Sequence, residues 1–169
     1  MERVGVEIEK KYIIEKPDLE CISGEEAFSA SEIVQIYVES QRGVTHRVRF
    51  RKRDGVTEYT ETKKIRIDAM SSTEIERDIS EDEFAELSKN IRAGSKPIRK
   101  TRYTFLYEGQ LFEIDVYPEW KRCAIMETEL ESRESQVKFP SFIRIIRDVT
   151  GIKEYSNSSM ANAFPSEEM

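Results

Sequence analysis

Apolar and charged side chains alternate along residues 4–14 of the chain. The even-numbered positions are mostly apolar and the odd-numbered positions are mostly charged. In order, the two sets are Val4, Val6, Ile8, Lys10 and Tyr12, and Gly5, Glu7, Glu9, Lys11 and Ile13. Successive side chains of a β-strand point to opposite faces. The pattern therefore predicts a strand that buries one face in a core and carries charge on the other.

The same two-residue period recurs further along the chain and predicts more strands. They are expected at residues 34–40, 45–52, 57–67, 74–79, 98–107, 110–117 and 123–130. Asp54–Gly55 and Glu108–Gly109 are hairpin signals, because both residues of such a turn tolerate positive φ. About eight short strands joined in this way are typical of a β-barrel or a β-sandwich.

Helical patterns are fewer. Ser80 and Glu83 form a capping box ahead of an apolar stripe, and Gly94 marks the end of that helix. Residues 24–31 are expected to form a short helix or a loop, and residues 140–150 and 156–163 two further helices. We expect one domain over residues 1–169, ordered over about residues 4–163, with a frayed end at residues 165–169.

Composition excludes several functions. The net charge of −6 and the pI near 5.1 argue against non-specific nucleic-acid binding. A charged N-terminus and the lack of a long apolar stretch predict no membrane span and a cytoplasmic protein. His46 is the only histidine, so a His-rich zinc site is excluded and carboxylates must hold any metal, which favours Mg²⁺ or Mn²⁺. His46 itself is expected to lie on the outward surface.

The charged strand faces carry pairs of one sign, two positions apart. Their members are Glu7 and Glu9, followed by Lys11; Arg47, Arg49 and Arg51; Lys64; Glu74 and Glu76; Lys100 and Arg102; Glu113 and Asp115; and Glu127 and Glu129. One interpretation is an ordinary sheet with a solvated face. The alternative is a closed barrel with a polar lumen, in which clustered carboxylates need a cation and clustered bases an anion. A metal-bound polyphosphate satisfies both needs.

The order of these charged blocks resembles a known protein family. The Glu-x-Glu-x-Lys segment at Glu7, Glu9 and Lys11 resembles the signature of the CYTH superfamily, the triphosphate tunnel metalloenzymes. The blocks RVRFR, TKK, EIE, KTRY, FEID, METE and KEYSNSSMA follow in the family's order, so the resemblance runs from about Glu7 to Ala161. It implies an α+β protein built on a closed eight-stranded antiparallel β-barrel with a few flanking helices.

The resemblance also implies a site. The expected ligands of Mg²⁺ or Mn²⁺ are Glu7, Glu9, Asp115, Glu127 and Glu129, and Glu113 is a further tunnel acid. The expected triphosphate-binding residues are Lys11, Arg47, Arg49, Lys64, Lys100, Arg102 and Lys153. Because the basic strand has three arginines, the binding pair is either Arg47 and Arg49 or Arg49 and Arg51. Glu74 or Glu76 is a candidate for orienting or deprotonating water, with Lys11 neutralising charge that develops in the reaction.

The expected function is metal-dependent hydrolysis of a small triphosphate. Inorganic tripolyphosphate is the first choice of substrate, and nucleoside or thiamine triphosphate are alternatives. A class IV adenylyl-cyclase-like enzyme, a non-catalytic binding module for triphosphates or polyphosphate, and a β-domain without a ligand are the competing interpretations. The expected partner is the small-molecule substrate, and binding to nucleic acid or to a membrane is not expected. Whether the protein forms a homodimer is left open by the sequence.

Overall fold

Strands dominate the computed structural model, which describes residues 1–167. They are β1 (Glu2–Glu15), β2 (Glu26–Val38), β3 (Thr45–Arg53), β4 (Val56–Arg66), β5 (Ser71–Asp78), β6 (Ile98–Tyr107), β7 (Gln110–Val116), β8 (Cys123–Glu129) and β9 (Ile145–Asp148). The helices are α1 (Leu19–Ile22), α2 (Glu81–Ser88) and α3 (Asn157–Met160), and a 3₁₀ turn covers Lys153–Tyr155. Within residues 1–167, no helix has the length and apolar character needed to cross a membrane.

The long first strand closes the sheet into a barrel. The strand order is β5-β4-β3-β2-β6-β7-β8-β1, and β1 also pairs with β5. One half of β1 pairs with β5, with Val4 opposite Ile75, and the other half pairs with β8, with Lys11 opposite Glu127. All these pairings are antiparallel, so the expected closed eight-stranded antiparallel barrel is confirmed, with β9 as an additional strand on β1.

The apolar strand faces lie outside the barrel, where helices and loops cover much of them, although Val4 and Val6 of β1 are exposed. Phe105 and Phe112 are fully buried and pack in one cluster with Ile143 of the segment before β9. On the other side, Val48 packs beneath Phe84 of α2. Because the hydrophobic core is formed by the outward faces, the alternation of the strands turns their charged faces towards the interior.

The structure contains the expected β3–β4 hairpin and the expected capping box. Asp54 and Gly55 have φ angles of 50° and 76°, as a tight hairpin between β3 and β4 requires. Ser80 accepts a hydrogen bond from the backbone N–H of Glu83, and Glu83 accepts one from the N–H of Ser80, which completes the capping box. The helix ends at Ser88, well before Gly94.

The helix expected at residues 140–150 is wrong. This segment turns and then forms β9, in which Arg147 lies opposite Ile13 of β1. A short apolar run does not separate a helix from a strand by its period, and the pairing with β1 decides the outcome here. Residues 24–31 also differ from expectation, because β2 already begins at Glu26. An irregularity between Glu26 and Ser29 obscures its alternation, and Ala27 there has a φ of 55°.

The C-terminal residues are held against the barrel as far as the structure describes them. Trp120 Nε1 donates to the carbonyl oxygen of Pro165 at 2.9 Å, and the backbone N–H of Arg122 donates to Glu167 at 2.6 Å. The fraying expected over residues 165–169 stays a prediction. Residues 168–169 lie outside the described part of the chain.

His46 faces outward, as expected, but it is not a solvated surface residue. Its Nε2 lies 2.7 Å from a carboxylate oxygen of Glu61, and Arg77 Nε lies 2.5 Å from the other oxygen. Burial raises the pKa of the Glu61 carboxyl, but His46 and Arg77 more than offset this and leave the pKa below its usual value. The three residues tie β3, β4 and β5 together on the outside of the barrel.

Glu61→Gln is expected to lower the free energy of unfolding by about 1–3 kcal/mol at pH 7, because it leaves Arg77 and His46 without their anion. The pKa of Glu61 is lower in the folded protein than its ordinary 4.5, so its stabilisation is present above about pH 4.5 and is lost as the pH falls. Urea unfolding at pH 7, 5 and 3 measures this. A difference between variant and wild type that stays constant down to pH 3 would contradict it.

Candidate functional site

A cavity of about 750 Å³ lies inside the barrel and brings nearly all the predicted site residues together. Its charged lining consists of Glu7, Glu9, Lys11, Arg47, Arg49, Lys64, Arg66, Glu74, Glu76, Lys100, Arg102, Glu113, Glu127, Glu129 and Lys153. These side chains come from β1 and from β3 to β8, with Lys153 supplied by the 3₁₀ turn. We call this cavity the tunnel. Its size is in the range usual for small-molecule sites.

A second cavity of about 430 Å³ adjoins the tunnel and shares Arg49 and Glu76 with it. Arg51 lies in this second cavity, where its guanidinium pairs with Glu58. Arg47 lines the tunnel but not the second cavity, whereas Arg49 lines both. The geometry therefore favours Arg47 and Arg49 over Arg49 and Arg51 as the tunnel's central pair.

The basic side of the tunnel is short of negative charge. Among the described residues, the buried Nε atoms of Arg47 and Arg49 have no hydrogen-bond partner. Burial lowers the pKa of Arg49 to about 10, and the neighbouring charges of Arg47 and Arg102 add to this effect. Guanidinium groups crowded together away from water call for an anion, and their planar forks suit phosphate oxygens.

Lys100 and Arg102 on β6 share one buried carboxylate. Asp115 Oδ2 accepts from Lys100 Nζ at 2.8 Å and from Arg102 Nη2 at 2.9 Å, and Asp115 Oδ1 accepts from Arg102 Nε at 2.8 Å. Burial would raise the pKa of Asp115, but the two cations hold it well below its usual range. Both oxygens are thus engaged with bases. In this arrangement Asp115 positions Lys100 and Arg102, and its expected role as a metal ligand stays a prediction.

Carboxyl groups crowd together on the acidic side of the tunnel, which disfavours their ionised forms. Burial raises the pKa of Glu9 to about 9, and the carboxylates of Glu127 and Glu7 reinforce the shift. Burial also raises the pKa of Glu7, although Lys64 opposes this. For Glu127 the effect of burial is outweighed by Lys11, whose Nζ lies 3.3 Å from it, so its pKa is lowered.

Within residues 1–167, no three acidic, histidine or cysteine side chains lie close enough as they stand to form a ready-made metal site. The ammonium of Lys64 instead lies 3.7 Å from Glu7, 3.8 Å from Glu9 and 3.7 Å from Glu74. The chemistry of the donor set nevertheless fits a hard divalent cation, because crowded carboxylates with raised pKa values gain most from such a charge.

The two acids expected to act on water both pair with cations. Glu76 accepts from Thr62 Oγ1 at 3.1 Å and from Arg3 Nη2 at 3.1 Å. Burial would raise the pKa of Glu76, but Arg3 and Arg49 leave it lowered. Glu74 lies 3.9 Å from Arg47 Nη2 and is also near Lys64. The role of either acid as a general base stays a prediction.

Two charged residues that line these cavities were not found from the sequence, Arg66 in the tunnel and Arg3 in the second cavity. They have the same parity as Lys64 and Glu7, respectively, and that signal was available. The segment that ends in α3 had no such signal. Its Asn157 Oδ1 accepts from Tyr117 Oη at 2.8 Å, and the carbonyl oxygen of Tyr155 accepts from Lys11 Nζ at 3.2 Å. These contacts depend on how the C-terminal segment returns to the barrel.

A closed antiparallel barrel of eight strands with acids and bases facing its lumen is the triphosphate tunnel fold of CYTH proteins, and this chain has that fold. Among solved structures, the inorganic triphosphatase NE1496 is similar to it, with 27% identity and a TM-score of 0.57 over 95% of this chain and 97% of that one.

Two proteins of Pyrococcus horikoshii OT3 share the fold at lower identity. PH1819 is 20% identical with a TM-score of 0.59, over 76% of this chain and 80% of that one. PH1012 is 22% identical with a TM-score of 0.56, over 76% of this chain and 81% of that one. These two likenesses establish the fold alone. No family model and no curated protein matches the chain.

Proposed function

We propose that the protein is a divalent-metal-dependent phosphohydrolase that binds a triphosphate in the tunnel. One observation carries the proposal: the buried guanidinium groups of Arg47 and Arg49 lack a full set of partners and lie in the same cavity as a cluster of carboxylates. A metal-bound triphosphate neutralises both sides. The likeness to the inorganic triphosphatase NE1496 supports triphosphatase activity at the level of the family.

Glu7, Glu9, Glu127 and Glu129 are the residues that would hold the ion, Mg²⁺ or Mn²⁺. When bound, such an ion supplies positive charge at the phosphate oxygens and lowers the pKa of a coordinated water. Asp115, on the neighbouring strand β7, contributes by holding Lys100 and Arg102. This division gives the acids of β1 and β8 to the metal and Asp115 of β7 to the bases.

The bases of the tunnel bind and orient the substrate. Arg47 and Arg49 offer planar forks for bridging and terminal phosphate oxygens, and the neighbouring Arg102 of β6 adds a third. Lys11 and Lys153 supply point charges near the C-terminal segment. Donors that are fixed before substrate arrives stabilise the charge that develops on the leaving group without reorganising.

Glu74 is better placed than Glu76 to orient or deprotonate the attacking water. Both oxygens of Glu76 accept hydrogen bonds, from Arg3 and Thr62, whereas the cations nearest Glu74 lie at 3.7 Å and 3.9 Å. These longer separations leave Glu74 free to accept a hydrogen bond from an attacking water. The side chains that line the tunnel are all charged or polar, and this favours inorganic tripolyphosphate over a substrate with an organic group.

A phosphate-release assay on the purified protein tests the proposal. Tripolyphosphate, ATP, thiamine triphosphate and pyrophosphate are compared with Mg²⁺, with Mn²⁺ and with EDTA. We expect tripolyphosphate to be cleaved fastest and EDTA to abolish release. Cyclic AMP formed from ATP would favour a cyclase-like enzyme instead. Tight binding of tripolyphosphate without any release would favour a binding module.

A further inference from the structure

Lys64 is the cation at the boundary between the acidic and basic sides of the tunnel. It lies on β4, opposite Thr45 of β3 and Glu74 of β5. Its ammonium is within 4 Å of carboxylate oxygens on two strands, Glu7 and Glu9 on β1 and Glu74 on β5. Arg47 reaches the same oxygen of Glu74, at 3.9 Å. Lys64 thus touches the acid cluster while standing next to the arginine that is proposed to bind phosphate.

This position puts a positive charge among the acids of the tunnel. A lysine side chain ordinarily carries its charge at neutral pH, and the Lys64 ammonium lies within 4 Å of carboxylate oxygens of Glu7, Glu9 and Glu74. A charged ammonium among three carboxylates neutralises part of their negative charge, as a divalent ion would. The ammonium and the ion cannot occupy the same space. Lysine is suited to exchange, because its charge is a point on a flexible four-carbon stem.

We propose that Lys64 is the internal counter-ion of the carboxylate cluster and gives way to the metal when a triphosphate draws its ammonium towards the phosphate oxygens. The inference rests on the proposed function and deepens it. It makes metal and triphosphate bind cooperatively, because the anion removes the cation that competes with the metal. Such coupling is reciprocal between the two ligands.

Removing the ammonium tests the competition without any turnover. We expect Lys64→Met to bind Mn²⁺ alone about tenfold more tightly than the wild type, measured by the loss of the free-ion EPR signal. Lys63→Met is the matched control, because Lys63 is the exposed neighbour on the outward face and its loss should change nothing. Lys64→Arg keeps the charge and is expected to bind Mn²⁺ as weakly as the wild type.

The coupling is measured with a methylene-bridged triphosphate, which cannot be hydrolysed. In the wild type, a saturating amount of this analogue is expected to tighten Mn²⁺ binding by more than tenfold. In Lys64→Met that gain should shrink, because the competing cation is already absent. Lys63→Met should show the full gain.

Thermal unfolding keeps the test informative if Lys64→Met folds poorly. Loss of the ammonium leaves the carboxylates uncompensated, so Lys64→Met and Lys64→Gln should gain more melting temperature from Mn²⁺ than the wild type does. Folded Lys64→Met and Lys64→Gln variants that bind Mn²⁺ no more tightly than the wild type would overturn the inference. All these experiments measure the binding of Mn²⁺ and not turnover. Absence of phosphate release would therefore contradict the proposed function without changing the outcome of the Mn²⁺-binding test.

Discussion

Arg49→Met is expected to reduce kcat/KM for tripolyphosphate by about 100-fold to 1,000-fold, the usual cost of losing one preorganised donor in a site of this kind. The same change is expected to raise the stability of the substrate-free protein. Arg49 is buried beside Arg47 and Arg102, and its lowered pKa reflects this crowding. Methionine fills a similar length without the charge. Opposite effects on activity and stability are typical of a residue retained for function.

Steady-state kinetics and urea unfolding of the same preparation measure the two effects. Arg53→Met on the same strand is the control, because Arg53 is exposed next to the β3–β4 turn and should change neither quantity. If Arg49→Met loses stability and keeps full activity, its guanidinium has a structural partner, and the account of an uncompensated basic pair is wrong.

Asp115→Asn is expected to cost about 3–5 kcal/mol of unfolding free energy, because it removes the one charge that two buried cations share. Lys100 and Asp115 are about 1–2% exposed, so water cannot replace the lost carboxylate. Tripolyphosphate should restore part of the loss by supplying negative charge to Lys100 and Arg102. Urea unfolding with and without tripolyphosphate measures both effects.

This variant also separates the two roles considered for Asp115. If it positions the bases, Mn²⁺ affinity in the absence of triphosphate should stay within a few-fold of wild type, provided the variant is folded. A loss of Mn²⁺ binding comparable to that of Glu9→Gln would instead make Asp115 a metal ligand. Asp82→Asn, at an exposed position of α2, is the control for stability.

Strand alternation predicted much of the fold and of the tunnel lining. Residues two apart share a face of their strand whatever the tertiary structure, so parity assigned Glu7, Arg49 and Lys64 each to the charged face of its own strand. The same parity separated Lys64, in the tunnel, from Lys63, which is exposed. Turn chemistry at Asp54–Gly55 then located the β3–β4 hairpin.

Other features depend on contacts between distant parts of the chain, which alternation does not report. The pattern of residues 145–149, Ile-Ile-Arg-Asp-Val, fits a helix or a strand, and only pairing with β1 makes the segment β9. Asp115 has the parity of a ligand, but its distance to Lys100 and Arg102 decides what its oxygens do. The place of Lys64 among three acids likewise depends on how β1, β4 and β5 close the barrel.

The central claim is that the tunnel binds a triphosphate and cleaves it with the help of a divalent metal. Phosphorus-31 NMR of tripolyphosphate mixed with the purified protein and Mg²⁺ tests it most directly. The account predicts that the tripolyphosphate resonances disappear, that orthophosphate and pyrophosphate grow in equal amounts, and that EDTA stops the reaction. Resonances that stay unchanged with Mg²⁺ and with Mn²⁺ would contradict it.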